Sequence, residues 1–143
     1  MQLATVALAL TLLATPTLAA DHQVKMLLSG DAGPTVFEPS LINVAVGDTV
    51  TFVPSAAMQN AQTIPGMLPA GAVPFEGGLN EAVTVTFDVP GTYGVECRKH
   101  FGIGMVALVV VGDAAADATV VADARLPFRA RERFQEMLEA KTE

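Results

Sequence analysis

Short apolar segments separated by turn residues run through most of this chain, and they predict strands. Val83, Val85, Phe87 and Val89 alternate with Thr84, Thr86 and Asp88, giving one apolar and one polar face. Similar short segments lie at residues 23–28, 36–39 leading into 41–46, 49–53 and 92–97. They are bounded by the turn signals of residues 29–34, Gly47-Asp48 and Pro90-Gly91. Residues 105–111 are apolar throughout and stop at Gly112-Asp113, as expected of a strand covered on both faces. Several short strands at turn-spaced intervals predict an all-β sandwich. Residues 54–78 break the pattern. Rich in Pro, Gly and Met, they predict a long loop with at most one helical turn, and long loops in compact domains tend to carry function. Beyond Ala114 the period changes to that of helices. Residues 117–124 form one candidate, and Pro127 opens a second over 128–141 with Phe128, Arg131, Glu132, Gln135, Met137 and Leu138 in rhythm.

The first twenty residues are different again. An apolar run over residues 3–14 is followed by Thr15, Pro16 and the small-residue stretch ending in Ala19-Ala20. About twelve apolar residues are too few to cross a bilayer, which takes about twenty. Residues 1–20 therefore read as a secretory signal, cleaved after Ala19 or Ala20 and leaving no membrane insertion, although no Lys or Arg follows Met1. The mature chain then divides into a β domain over 20–113 and a helical extension over 114–143, packed on the sandwich. With 51% hydrophobic and 16% charged residues, it suits a buried core and not a disordered tail. The formal net charge of −7 argues against nucleic acid as a partner, because phosphate binding needs clustered Lys and Arg. Five of the eight basic residues lie beyond Ala114, so the β domain is the acidic part.

Cys97 is the only cysteine, so an exported chain has no internal disulfide; the thiol is buried, metal-bound or free to pair between chains. It begins the spacing C-x2-H-x4-M with His100 and Met105, between the end of one predicted strand and the start of the next. Copper cycling between Cu(I) and Cu(II) takes soft sulfur plus imidazole, with a thioether as a long axial ligand. A short loop tethered by two strands holds such donors nearly fixed. Gly102 and Gly104 are expected to let the chain turn back so that Met105 faces the same point as Cys97. Cysteine and methionine also serve as plain core residues. The strand–loop–strand placement and the export signal favour metal.

Beyond that loop, residues 36–39 (Val-Phe-Glu-Pro), 46–52 (Val-Gly-Asp-Thr-Val-Thr-Phe), 66–69 (Gly-Met-Leu-Pro) with Gly71, and 90–95 (Pro-Gly-Thr-Tyr-Gly-Val), together with the two-helix tail, resemble the pseudoazurins, small blue copper proteins of the cupredoxin family. The resemblance covers essentially all of the mature chain. It implies a Greek-key sandwich of about eight strands with two short C-terminal helices, one type 1 copper, and a monomeric periplasmic one-electron carrier for redox proteins. It further implies Cys97 and His100 as equatorial ligands, Met105 as axial ligand, and Asn60 as a brace for the copper loop. The family's other histidine ligand falls at Gln59, just before Asn60, and the only other histidine here is His22. Met58 stands where the family usually has glycine, and Arg98-Lys99 where it has Thr-Pro.

Losing one imidazole leaves three functional alternatives. Copper binds through Cys97, His100 and Met105 with Gln59 or water in the gap, giving an unusual electron carrier. The soft donors instead hold or deliver Cu(I), with Met58 as a conceivable further thioether. Or the domain is a copper-free scaffold that binds a protein partner. Met58, Met67, Leu68, Pro69, Phe101 and Ile103 are the expected apolar docking rim. With Lys25, Arg98 and Lys99 against nine acids in the β domain, the lysine ring common in the family is missing, which disfavours acidic partners. Cleavage after Ala19 would also expose Ala20-Asp21-His22, whose amine, two amides and imidazole could wrap Cu(II) or Ni(II) in a square plane. An enzyme is not expected, since nothing beyond Asn60 and Gln59 offers an orienting carboxylate or amide to Cys97 and His100 and the chain has no substrate-pocket signature.

Overall fold

The alternating segments close into two four-stranded sheets packed face to face, with two helices laid over the outside of one of them. The computed structural model describes residues 14–140, so most of the expected signal segment and the helix end at Lys141 lie outside the described residues. Residues 14–20 are exposed and belong to no element. The strands are β1 (Asp21–Gly30), β2 (Gly33–Glu38), β3 (Leu41–Val44), β4 (Thr49–Pro54), β5 (Gln62–Thr63), β6 (Val83–Thr86), β7 (Gly91–Glu96) and β8 (Val106–Val111). One sheet has the order β2-β1-β4-β6, the other β3-β8-β7-β5. The pairs β1–β4 and β3–β8 are parallel and the remaining pairs antiparallel. This is the eight-stranded all-β sandwich with two C-terminal helices that the sequence predicts.

Between the sheets lies one core, in which Val24, Met26, Phe37, Phe52, Phe87 and Tyr93 meet Val95, Cys97, Met105, Ala107 and Val109. Phe37, Phe52, Phe75, Phe87 and Tyr93 form a continuous chain of ring contacts through it. A second core lies on the other face of the second sheet, where Val106 and Leu108 meet Ile64, Met67, Val121, Ala130, Phe134 and Met137. β8 contributes alternate residues to each core, which is why its six residues are all buried and its sequence carries no polar position.

The helices are α1 (Ala118–Asp123) and α2 (Phe128–Ala140). Asp117 caps α1 by accepting the Thr119 amide N–H, and the Arg131 guanidinium on α2 donates to the Val121 and Ala124 carbonyls at the end of α1. The buried stripe of α2 is Ala130, Phe134 and Met137, whereas Phe128, expected on it, is 76% exposed. Residues 54–78 contain no helical turn; they hold β5 instead, two residues paired with Val95 and Glu96 of β7.

At the start of β1, the Ala20 amide donates to Asp48 Oδ1, the Ala20 carbonyl accepts from Thr49, and His22 Nε2 lies 2.9 Å from Asp48 Oδ2. The amine and imidazole that could wrap a metal are thus both held by one carboxylate. Asp21, between them, and His22 itself are paired in register with Thr49 and Val50 of β4.

Candidate metal centre

Cys97 leaves the end of β7 and Met105 precedes β8, so the antiparallel pairing of these strands brings both residues to one end of the sandwich. The ladder extends past the strands, with Cys97 N donating to Met105 O at 3.0 Å. Inside the loop, His100 N bonds Cys97 O at 3.1 Å, and Ile103 N and Met105 N both bond His100 O. A single 3-10 turn over Phe101–Ile103 follows, ended by Gly104 at φ 92°. Gly104 is required twice over: its conformation is left-handed, and a Cβ there would lie 3.0 Å from the Arg129 carbonyl oxygen. Gly102, the other expected pivot, has open space around it and is not among the positive-φ glycines.

Cys97 and Met105 are fully buried and His100 is half-buried. Cys97 Sγ lies 3.5 Å from His100 Nδ1 and 3.7 Å from the Met58 carbonyl oxygen. With bonds of about 2.3 Å to thiolate and about 2.0 Å to imidazole, the lengths typical of zinc, a 3.5 Å separation corresponds to an angle of about 110° at a shared ion. The pair is therefore spaced as two ligands of one first-row metal. Among the described residues no group of three or more His, Cys, Asp or Glu side chains could hold a metal; the donors that this loop gathers are instead a thiol, an imidazole and a thioether, a set soft enough for copper.

The loop after β4 closes over this one. Asn60 Oδ1 accepts from Arg98 N at 2.8 Å, while its Nδ2 donates to Gln62 Oε1 and the Gly77 carbonyl. These bonds join the loop after β4 to the residue following Cys97. Met58 takes the left-handed conformation at φ 64°, its amide donating to Asn80 Oδ1. The backbone thus keeps the shape that a glycine adopts without strain. Gln59 is fully buried. Its Oε1 accepts from Ser55 N at 2.9 Å and Ala56 N at 3.1 Å, and its Nε2 is buried without a partner. Two backbone donors fix the oxygen in place, so the opposite end of the amide is an N–H donor.

The expected docking rim is corrected in part. Met67 is fully buried under Gly94, whose amide donates to the Met67 carbonyl and whose carbonyl accepts from Ile64 N, because residues 64–67 continue alongside β7 away from Cys97. Pro69 packs on Gly91, at the far end of β7, and Leu68 packs partly against the inter-sheet core. Exposed apolar surface near the loop comes from Ile103, 54% exposed, and Met58, 45% exposed, beside half-buried Phe101.

One buried group was not singled out by the sequence. Glu96, immediately before Cys97, is 7% exposed and accepts from Gln62 Nε2 at 2.8 Å. Burial pushes its carboxyl above the usual range, the Gln62 bond acting in the other direction. In sequence it looks like an ordinary polar strand end.

Residues 24–112 match the model of the copper binding proteins of the plastocyanin/azurin family. A pseudoazurin from Paracoccus pantotrophus is 45% identical over 132 residues, covering 92% of this chain and 91% of that protein. The crystal structure of pseudoazurin from Methylobacterium extorquens AM1 superimposes with a TM-score of 0.79 at 35% identity, covering 86% of this chain and 99% of the other. Native pseudoazurin from Hyphomicrobium denitrificans gives 0.76 at 32% identity, covering 84% and 97%.

Proposed function

Because the chain belongs to the pseudoazurins, we propose that it is a periplasmic one-electron carrier whose copper is held by three protein donors: Cys97, His100 and Met105. The observation that carries this ligand set is the pair Cys97 Sγ and His100 Nδ1, 3.5 Å apart, in a loop whose backbone bonds also fix buried Met105. When bound, copper supplies the one-electron Cu(I)/Cu(II) couple. Cys97 and Met105 offer sulfur and His100 a single imidazole, a set that favours Cu(I). Gln59 contributes no ligand, since its oxygen is held by the Ser55 and Ala56 amides and its free end is an N–H donor. The backbone bonds of the loop and the Asn60 contact to Arg98 N fix the positions of the donors, and would limit rearrangement on electron transfer once copper is held there. X-ray absorption of the copper-loaded protein tests this. One imidazole with two sulfur scatterers is expected; a second nitrogen donor at imidazole distance contradicts it.

A second reading, Cu(I) holding or delivery, is favoured by the same observation that excludes Gln59 oxygen. Reversible voltammetry with a midpoint above that of a Gln59→His variant supports the carrier; a copper ion that cannot be oxidised without loss supports holding.

Export is part of the proposal. Among the described residues, Ala20 is the first whose backbone is engaged, through Asp48 and Thr49. Cleavage after Ala19 keeps both bonds and sets the new ammonium on the Asp48 carboxylate, whereas cleavage after Ala20 removes them. Mass spectrometry of the exported protein distinguishes the two.

A further inference from the structure

Two carboxylates are buried among the described residues, and only one of them faces a basic group. Asp48 meets His22; Glu96 has Gln62 Nε2 as its hydrogen-bond partner and forms no ion pair. A carboxylate removed from water without a cation is costly, and such a group in a native structure calls for an explanation.

Glu96 forms part of the wall of a cleft of about 490 Å³ beside the metal loop. Pro65, Leu68, Pro74 and Phe75 give the cleft a largely apolar wall, and polar Gln62, Thr63 and Glu76 complete its lining. No Lys or Arg lines it, and the nearby cation, Arg98, is committed to Glu76. Glu96 also borders a second cleft, of about 550 Å³, whose lining includes Asp123 and Arg125. The first cleft therefore combines apolar walls with a carboxylate that lacks a counter-charge. Lysine and arginine have the matching chemistry, an apolar stem with a cationic head. The β domain carries nine acids against three basic residues, so its overall field favours approach of a cationic partner.

We infer that this cleft is a docking site for a lysine or arginine side chain presented by a basic partner protein. The stem lies against the apolar walls and the charged head meets Glu96, one residue from the Cys97 thiol. The role as a contact for an electron-transfer partner rests on the carrier reading above. Cation binding in the cleft does not.

The test uses hexaamminechromium(III), a paramagnetic trication, titrated at low salt into the isotope-labelled, reduced protein while amide line broadening is followed. Broadening centred on Gln62, Thr63, Phe75 and Glu96 is expected. Glu96→Gln keeps an acceptor for Gln62 and should raise the Kd at least threefold. Pro74→Lys removes no backbone donor, places an ammonium at the exposed edge of the cleft and should do the same, so a folding defect in the first variant does not end the test. Glu81→Gln, outside the cleft, serves as the charge control and should leave the Kd within twofold. Broadening centred elsewhere, or a rise below threefold in both cleft variants, overturns the proposal. A protein that binds the trication as expected but cannot cycle copper keeps the cleft and rejects the carrier reading.

Discussion

Replacing Asn60 by alanine should cost the fold about 3 kcal/mol, because one side chain makes three hydrogen bonds that join separate loops. Oδ1 receives the Arg98 amide at 2.8 Å; Nδ2 serves Gln62 Oε1 at 3.0 Å and the Gly77 carbonyl at 3.2 Å. Asn60 is 3% exposed, so water does not readily replace it. At about 1 kcal/mol net per bond the loss is about 3 kcal/mol, and more where a freed group stays buried. Gln62 has no compensating flip, since its Nε2 is committed to Glu96. With a urea m-value of about 1.5 kcal/mol/M, the unfolding midpoint should fall by about 2 M at unchanged m. Asn60→Asp should do no better: it keeps the acceptor for Arg98 but turns oxygen toward Gln62 Oε1 and the Gly77 carbonyl. A loss below about 1 kcal/mol in both variants would refute the argument that this side chain ties the two loops together.

Gln59→His should raise Cu(II) affinity at least tenfold and lower the midpoint potential by supplying a second imidazole; unchanged titration and voltammetry would mean that this position does not face the metal. Acid sensitivity should trace to Asp48, whose carboxyl is held below its usual range by His22 first and then by the Ala20 and Ala45 amides. Its depressed value means that the contribution is fully present above about pH 4 and lost as pH falls through the folded value. Asp48→Asn should therefore flatten the stability profile in that acid window, and an unaltered profile assigns the sensitivity elsewhere. Gly94→Ala would set a Cβ 2.6 Å from Met67 Cε and 2.8 Å from Met67 Cβ, and should cost about 2 kcal/mol in thermal or urea unfolding; a neutral result would mean that the packing over β7 gives way readily.

What was legible in the chain was whatever local pattern encodes. The uniform apolar run of β8 announced burial on both faces, and Val83 to Val89 announced one half-buried face. The C-x2-H-x4-M loop was visible as a unit because its donors share one hairpin-like turn. Met67 was misplaced because burial there comes from pairing with β7, and a two-residue β5 is too short to show a period. The buried stripe of α2 runs through Ala130, a small residue that hydrophobic rhythm underweights, leaving Phe128 outside. The orientation of Gln59 depends on the Ser55 and Ala56 amides, and the burial of Glu96 on a cross-strand Gln62 and the walls of a distant loop. Neither neighbour relation is written in residue spacing.

The most direct test of the copper site is the visible spectrum of the purified mature protein titrated with Cu(II). An intense thiolate-to-copper band that saturates at one equivalent and disappears in Cys97→Ala is the predicted result. A protein that stays colourless through the titration would contradict a copper-carrying role for Cys97, His100 and Met105.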